Sequence, residues 1–279
     1  MLPRIIAHRL GGAYGPDNSA IALRRSLRAP LGGLEADCCL AADGEVVLLH
    51  DPLLELGTSG EGWVHETPSR EICRMRLRHA DGSLSNQRPL LLRELLALAP
   101  PAIPLALDIK AHADAELARA TTRAVCRLAA AERSRRAIEI ISFYEQSCEL
   151  AAELGFAARL VAIAAYRPAA LAAWAALRGV RGVCVEHLLL TRAVIDPLRA
   201  RGLSVTTGTV NHPALLAPLL ELGPDAVTSD RPHELHVALL ALARAPRAAA
   251  TMQARGYRSG AGDCFDCLCA ESATGEVAA

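Results

Sequence analysis

Lysine is all but absent from this chain. Of 279 residues only Lys110 is a lysine, and every other member of the thirty Lys and Arg residues is an arginine. Arginine is a rigid planar fork and lysine a compact charge on a flexible stem, so the two exchange poorly at tight sites. A lone lysine closing the apolar run "PLALDIK" (104–110) is therefore a position to follow. Net charge is lacking too. Thirty acidic residues cancel the cations, which removes the broad electrostatic footprint of a nucleic-acid binder or a polybasic membrane patch. Any anion must be held by local chemistry. Aromatic residues are 3% of the chain against 52% hydrophobic, so aliphatic side chains must fill the core. No apolar run reaches the roughly eighteen residues needed to cross a bilayer. The start "MLPRIIAHRL" has no signal-peptide core, only Ile5, Ile6 and Ala7 between Arg4 and His8. The expectation is a cytoplasmic protein with no integral membrane segment and no nucleic-acid partner, homo-oligomerisation being left open.

Nine cysteines are an odd number, and most are scattered. Cys38, Cys73, Cys126, Cys148 and Cys184 lie in or beside apolar segments, where a thiol packs as a small hydrophobe. Without a secretory signal they do not read as a disulfide framework. Cys264, Cys267 and Cys269 form a Cys-x-x-Cys step with no second pair at zinc-site spacing. They fall in an aperiodic Ala, Gly, Ser and Arg stretch, so residues 247–279 are expected to be a disordered tail after a domain over 1–246.

Within that domain, short β-rich runs alternate with Ala/Leu/Arg segments of helical period. Strands are predicted at 4–8, 33–38, 104–109, 137–142, 158–164, 182–186, 203–210 and 225–229. Helices are predicted at 18–29, opened by Asp17 or Asn18 as cap, and at 114–131, 144–154, 168–177, 191–201, 213–222 and 232–244. A ninth strand, 45–50, follows the Asp43-Gly44 turn and is either an edge or an excursion. Strands alternating with helices imply parallel pairing through right-handed crossovers. Eight such units fit an α/β fold of the (β/α)8 TIM-barrel type, with the irregular stretch 51–100 as a small insertion after the second strand.

In such a barrel the C-terminal strand ends share one reactive face. His8 and Arg9 close the first strand, and Glu35 and Asp37 lie two apart in the second, pointing the same way. His50 and Asp51 end the 45–50 strand, Asp108 and Lys110 the third barrel strand, and Asn211 follows the seventh. Acidic groups inside apolar strands cost several kcal/mol unless a partner or cation meets them. Three converging carboxylates make a hard oxygen site for Mg²⁺ or Ca²⁺ and not for zinc. Two histidines supply acid and base near neutral pH, and Arg9 and Lys110 supply charge for an anion. Taken together they read as metal-assisted phosphoryl chemistry. Singly, each has a plain structural alternative, an ion pair or a satisfied strand-end histidine.

The chain resembles the glycerophosphodiester phosphodiesterases from residue 5 to about 232. The resemblance rests on "AHRLGGAYGPDNS", "GLEADCCLAADGEVVLLHD", "GTSGEG", "RPLLLRELL", "LALDIK", "TVN" and "SDRP". It implies a (β/α)8 barrel that hydrolyses glycerophosphodiesters, small-molecule substrates, to sn-glycerol 3-phosphate and an alcohol. His8 and His50 match the catalytic pair, Arg9 the phosphate-binding arginine, and Lys110 the active-site lysine. Glu35, Asp37 and Asp108 match the metal ligands, while Asn211 is expected to line the mouth on the substrate. The sequence also departs from the family. Asp108 stands where Glu is usual, Leu10 where a glycine follows His-Arg, and Leu56 where an arginine is usual. Gly208 stands where an aromatic precedes Thr-Val-Asn, which is expected to remove a wall of the substrate pocket. Two other readings follow: the same chemistry on a bulkier diester such as a lysophospholipid, or a barrel that binds a phosphorylated ligand without turnover.

Overall fold

The computed structural model describes residues 2–162 and 167–244, and the expected tail with its three cysteines lies outside them. In chain order the regular elements begin with β1 (Arg4–Ala7), α1 (Ala20–Ser26), β2 (Gly33–Leu40), β3 (Val46–Val47), α2 (Leu54–Gly57), α3 (Ser69–Ile72) and α4 (Leu92–Leu98). They continue with β4 (Leu105–Ile109), α5 (Ala115–Ala129), β5 (Ile138–Ser142), α6 (Glu145–Glu153), β6 (Ala157–Ala162) and α7 (Pro168–Leu177). The last are β7 (Gly182–Glu186), α8 (Arg192–Arg199), β8 (Ser204–Gly208), α9 (Leu216–Leu222), β9 (Ala226–Ser229) and α10 (Pro232–Arg244).

Eight of the strands are parallel and closed. β1 pairs with β2 on one side and β9 on the other, and β4 to β8 complete the ring. Strands covered on both faces read as largely apolar runs, as in 182–185, Gly-Val-Cys-Val. The helices between the barrel strands each bury one stripe against the barrel. Along α5 this stripe is Ala118, Thr121, Thr122, Val125 and Ala129, at helical spacing, and Asp114 caps it by accepting the Leu117 N–H at 3.0 Å.

Two local expectations are corrected. The cap of α1 is Ser19, whose Oγ accepts the Ala22 N–H at 3.2 Å. Asn18 is committed elsewhere, as described below. The 45–50 strand shrinks to β3, paired antiparallel with Cys39 and Leu40 outside the barrel. Beyond it the chain bonds instead to the segment before α4, Leu48 N–H donating to Leu90 O at 2.8 Å. This excursion has its own apolar cluster, with Val47, Leu49, Leu54, Val64, Ile72 and Leu77 among its members. The insertion is therefore anchored and carries His50 to the barrel mouth on a packed support.

Toward the opposite end, Arg159 on β6 is buried and forms two bonds with Glu139 on β5, at 2.9 and 3.0 Å. Its remaining donors reach Val183 O, Ser204 O and Ser204 Oγ, joining four strands. Removing one partner of a buried pair strands the other's charge, at about 3–5 kcal/mol when fully buried. The Glu139 side chain is 25% exposed, so Arg159→Met is expected to cost about 2–3 kcal/mol in urea unfolding, with turnover per folded molecule intact. An unchanged unfolding midpoint would count against this account.

Candidate active site

The site begins with the register of two strands. Glu35 and Asp37 project from one face of β2, and β2–β4 pairing sets Asp37 opposite Asp108. All three carboxylates are buried, and one oxygen from each lies within 4.8 Å of the others. Burial and the neighbouring Asp37 charge push the Glu35 carboxyl up to about 8. Burial also raises that of Asp108, against the opposing charge of Lys110. Burial works against ionised Asp37 as well, but Lys110 and Arg9 outweigh it and hold this carboxyl well below the usual range. Lys110 continues the strand, its N–H donating to Cys38 O at 3.0 Å. Its Nζ lies 2.5 Å from Asp108 Oδ2 and 3.1 Å from Asp37 Oδ1. Asp108 Oδ1 remains buried without a hydrogen-bond partner. Three hard oxygen donors, one of them orphaned, fit a divalent cation of the Mg²⁺ or Ca²⁺ type.

A left-handed turn directly after β1 brings the next groups in. Arg9 (φ 50°) and Leu10 (φ 64°) adopt a conformation costing on the order of 1 kcal/mol per residue, and Gly11 (φ 95°) completes it because a Cβ there would strike Ser26 Oγ. The turn aims the Arg9 N–H at Glu35 Oε2, 2.7 Å away. The Arg9 side chain donates to Asp17 Oδ2 at 2.6 Å, with Nε 3.6 Å from Asp37 Oδ2.

Both histidines hold a carboxylate at Nδ1. His8 Nδ1 is 2.7 Å from Asp230 Oδ1, and His50 Nδ1 is 3.0 Å from Asp51 Oδ1. A carboxylate on Nδ1 keeps the proton there and leaves Nε2 available for proton transfer. His8 Nε2 is 4.0 Å from Glu35 Oε2. Burial alone would lower the His8 pKa, yet the bond to Asp230 and the Glu35 charge together raise it. His50 lies within electrostatic reach of both Asp37 and Asp108.

Three polar residues escaped the reading of strand ends. Asn18, buried with φ 57°, donates from Nδ2 to Asp37 Oδ2 at 2.8 Å and accepts the Asp37 N–H at 3.1 Å. Asp17 pairs with Arg9, and Asp230 pairs with His8. Asp230 was findable: it follows the last strand as His8 follows the first, and closure of a barrel makes those strands neighbours. Asn211, expected at the substrate, has its carboxamide bonded to the turn after β9. Nδ2 donates to Asp230 Oδ2 at 2.6 Å, and Oδ1 accepts from Asp230 N at 2.8 Å and Ser229 Oγ at 3.2 Å.

The altered lining also has a physical account. Beside Gly208 there is no open wall, because a Cβ there would lie 2.9 Å from Thr228 Cβ and nearer still to its Oγ1. A cavity of ≈ 200 Å³ instead separates the mouth from the insertion, with Asp17, His50, Asp51, Leu53, Leu56 and Arg78 among its lining. Trp63, exposed on the insertion, lies beside the tilted rings of His65 and His112 at centroid separations of 5.6 and 6.0 Å.

Comparisons with known proteins bear on the family and the fold. The model of the glycerophosphoryl diester phosphodiesterase family matches residues 8–234. A glycerophosphodiester phosphodiesterase of Caldanaerobacter subterraneus is 35% identical over 68 residues, 24% of this chain and 28% of that one, so this match spans under a third of its relative. YhdW of Bacillus subtilis is 23% identical over 233 residues, 82% of this chain and 94% of that one. Among solved structures, an Oleispira antarctica phosphodiesterase in complex with the product sn-glycerol-3-phosphate superposes with TM-score 0.77 at 23% identity, covering 85% of this chain and 97% of that chain.

Proposed function

The chain belongs to the glycerophosphoryl diester phosphodiesterase family, and we propose that it hydrolyses glycerophosphodiesters to sn-glycerol 3-phosphate and a free alcohol with a divalent cation held by Glu35, Asp37 and Asp108. The observation that carries this reading is the convergence of those three buried carboxylates at the barrel end that also holds His8 and His50. A cation bound there supplies Lewis-acid relief of charge on the phosphate oxygens. The chain's own groups do the rest. Arg9 and Lys110 stabilise negative charge as it grows on the phosphoryl group. His8 and His50 divide the proton transfers at Nε2, one taking a proton from the attacking oxygen and the other giving one to the leaving alcohol. Asn18 keeps Asp37 oriented through its paired bonds to side chain and main chain.

The cavity beside His50 carries charged groups in its lining, Asp17, Asp51 and Arg78, which suit a small polar alcohol better than an acyl chain. Purified protein should therefore release glycerol 3-phosphate from glycerophosphocholine in the presence of Mg²⁺ or Ca²⁺, and faster than lysophosphatidylcholine is cleaved. His8→Ala should abolish that release. Absence of any cation-dependent product, or a His8→Ala variant as active as the parent, would overturn the proposal. Cation binding without turnover on a diester panel would favour the non-catalytic reading.

A further inference from the structure

We infer that Asn211 and Asp230 form a positioning relay that fixes the tautomer of His8, and that Asn211 acts through His8 and not on the substrate. The inference rests on the phosphodiesterase reading for its kinetic consequence, but the geometry stands on its own. His8, Asn211 and Asp230 follow β1, β8 and β9, which are adjacent at the point where the barrel closes. Asp230 meets His8 Nδ1 at 2.7 Å with one oxygen and Asn211 Nδ2 at 2.6 Å with the other. Asn211 is itself held, since its Oδ1 accepts both the Asp230 N–H and the Ser229 hydroxyl. The first of these contacts settles which end of the carboxamide is oxygen, because a main-chain N–H can only donate. Nδ2 must then face Asp230, and Asp230 must present an acceptor to His8. The imidazole is left with hydrogen on Nδ1 and its lone pair on Nε2, the nitrogen nearer Glu35.

His50 has a weaker version of this support. Its partner Asp51 is the adjacent residue, is partly exposed, and is held at 3.0 Å. The relay on His8 therefore predicts an asymmetry that substitution can read. In Asp230→Asn, Asn211 Nδ2 still requires an oxygen, so the new side chain turns its amide nitrogen toward His8 Nδ1. That reverses the tautomer with almost no change of shape. In the double exchange Asp230→Asn with Asn211→Asp, the polarity of the whole relay is inverted. The carboxylate at 211 accepts from the amide introduced at 230 and still accepts the main-chain N–H and the Ser229 hydroxyl. The amide oxygen at 230 then faces His8 again and restores hydrogen to Nδ1.

The full chain is assayed with glycerophosphocholine and Mg²⁺ for each variant, and its ¹⁵N-labelled imidazoles are observed at a pH where His8 is neutral. Asp230→Asn is expected to lower kcat about 10²-fold with KM altered less than about threefold, and to move the His8 hydrogen from Nδ1 to Nε2. The double exchange is expected to recover at least about tenfold in kcat over Asp230→Asn and to return the Nδ1–H spectrum. A purely structural role would make the double variant no better than the single one. That outcome, or an Asp230→Asn variant with the parent's kcat and tautomer, would overturn the inference. Should the parent turn over no diester, the function proposal fails while the imidazole spectra still decide the relay.

Discussion

Between pH 8 and pH 5 the affinity of the carboxylate site for Mg²⁺ or Ca²⁺ is expected to fall about a thousandfold. The reason lies in the metal-free site. Burial and the charge of Asp37 keep the Glu35 carboxyl protonated up to about 8, whereas Asp37 is ionised throughout. Loading a cation must expel the Glu35 proton, so each pH unit below about 8 opposes binding by about 1.4 kcal/mol, a factor of ten. Above that point the dependence flattens. Protonation of His8, whose pKa is also raised, acts in the same direction. The sign for folding is the opposite one. The unfolded chain releases this proton near 4.5, so the folded metal-free protein binds the extra proton between about 4.5 and 8 and loses stability as pH rises through that window. Saturating cation removes the loss. Calorimetric titrations at successive pH values, in buffers of different ionisation enthalpy, would count the protons released. An affinity that does not change between pH 5 and 8, or binding without proton release, would refute the assignment of Glu35 as a ligand.

How much of this site was legible in the sequence depends on the distance over which each feature is decided. The eight barrel strands are legible because a strand covered on both faces needs a continuous apolar run, and an acidic residue inside such a run stands out. Glu35, Asp37 and Asp108 were visible for that reason, and parallel alternation was enough to place them at one end. The cap of α1 was not legible, since Asp17, Asn18 and Ser19 all suit an N-cap and only the tertiary bonds of the first two decide in favour of Ser19. The partner of His8 lies 222 residues away, beyond pattern reading along the chain, and only the closure of the barrel leads to it. Gly208 was misjudged for a similar reason: the missing side chain suggested open space, and the residue that fills it, Thr228, comes from the next strand. Local chemistry was thus readable along the chain, whereas contacts across the barrel closure could be reached only through the topology.

Lys110→Arg is expected to leave the fold intact and lower turnover about 10²–10³-fold, the scale for losing a preorganised charge at the reacting group. The Lys110 ammonium is a single nitrogen with an 11% exposed side chain, donating at 2.5 Å to Asp108 Oδ2 and lying 3.1 Å from Asp37 Oδ1. It has a third N–H for a phosphate oxygen. A guanidinium brings a planar fork that matches two carboxylate oxygens at once, so it would bind Asp37 and Asp108 side by side and occupy the oxygens a cation needs. It would also have to fit beside the Phe143 ring, whose centroid lies 5.0 Å from Nζ. The arginine variant should therefore lose cation affinity and turnover together. Lys110→Met separates the two effects. It removes the charge while leaving Asp37 and Asp108 free, so cation affinity should equal or exceed that of the parent while turnover still falls. Calorimetry and the glycerol 3-phosphate assay on both variants, with unfolding midpoints as the control, make the comparison. An active Lys110→Arg enzyme would mean that the chain's one lysine survives there by chance, and equal cation affinity in all three proteins would remove the competition between guanidinium and metal from the account.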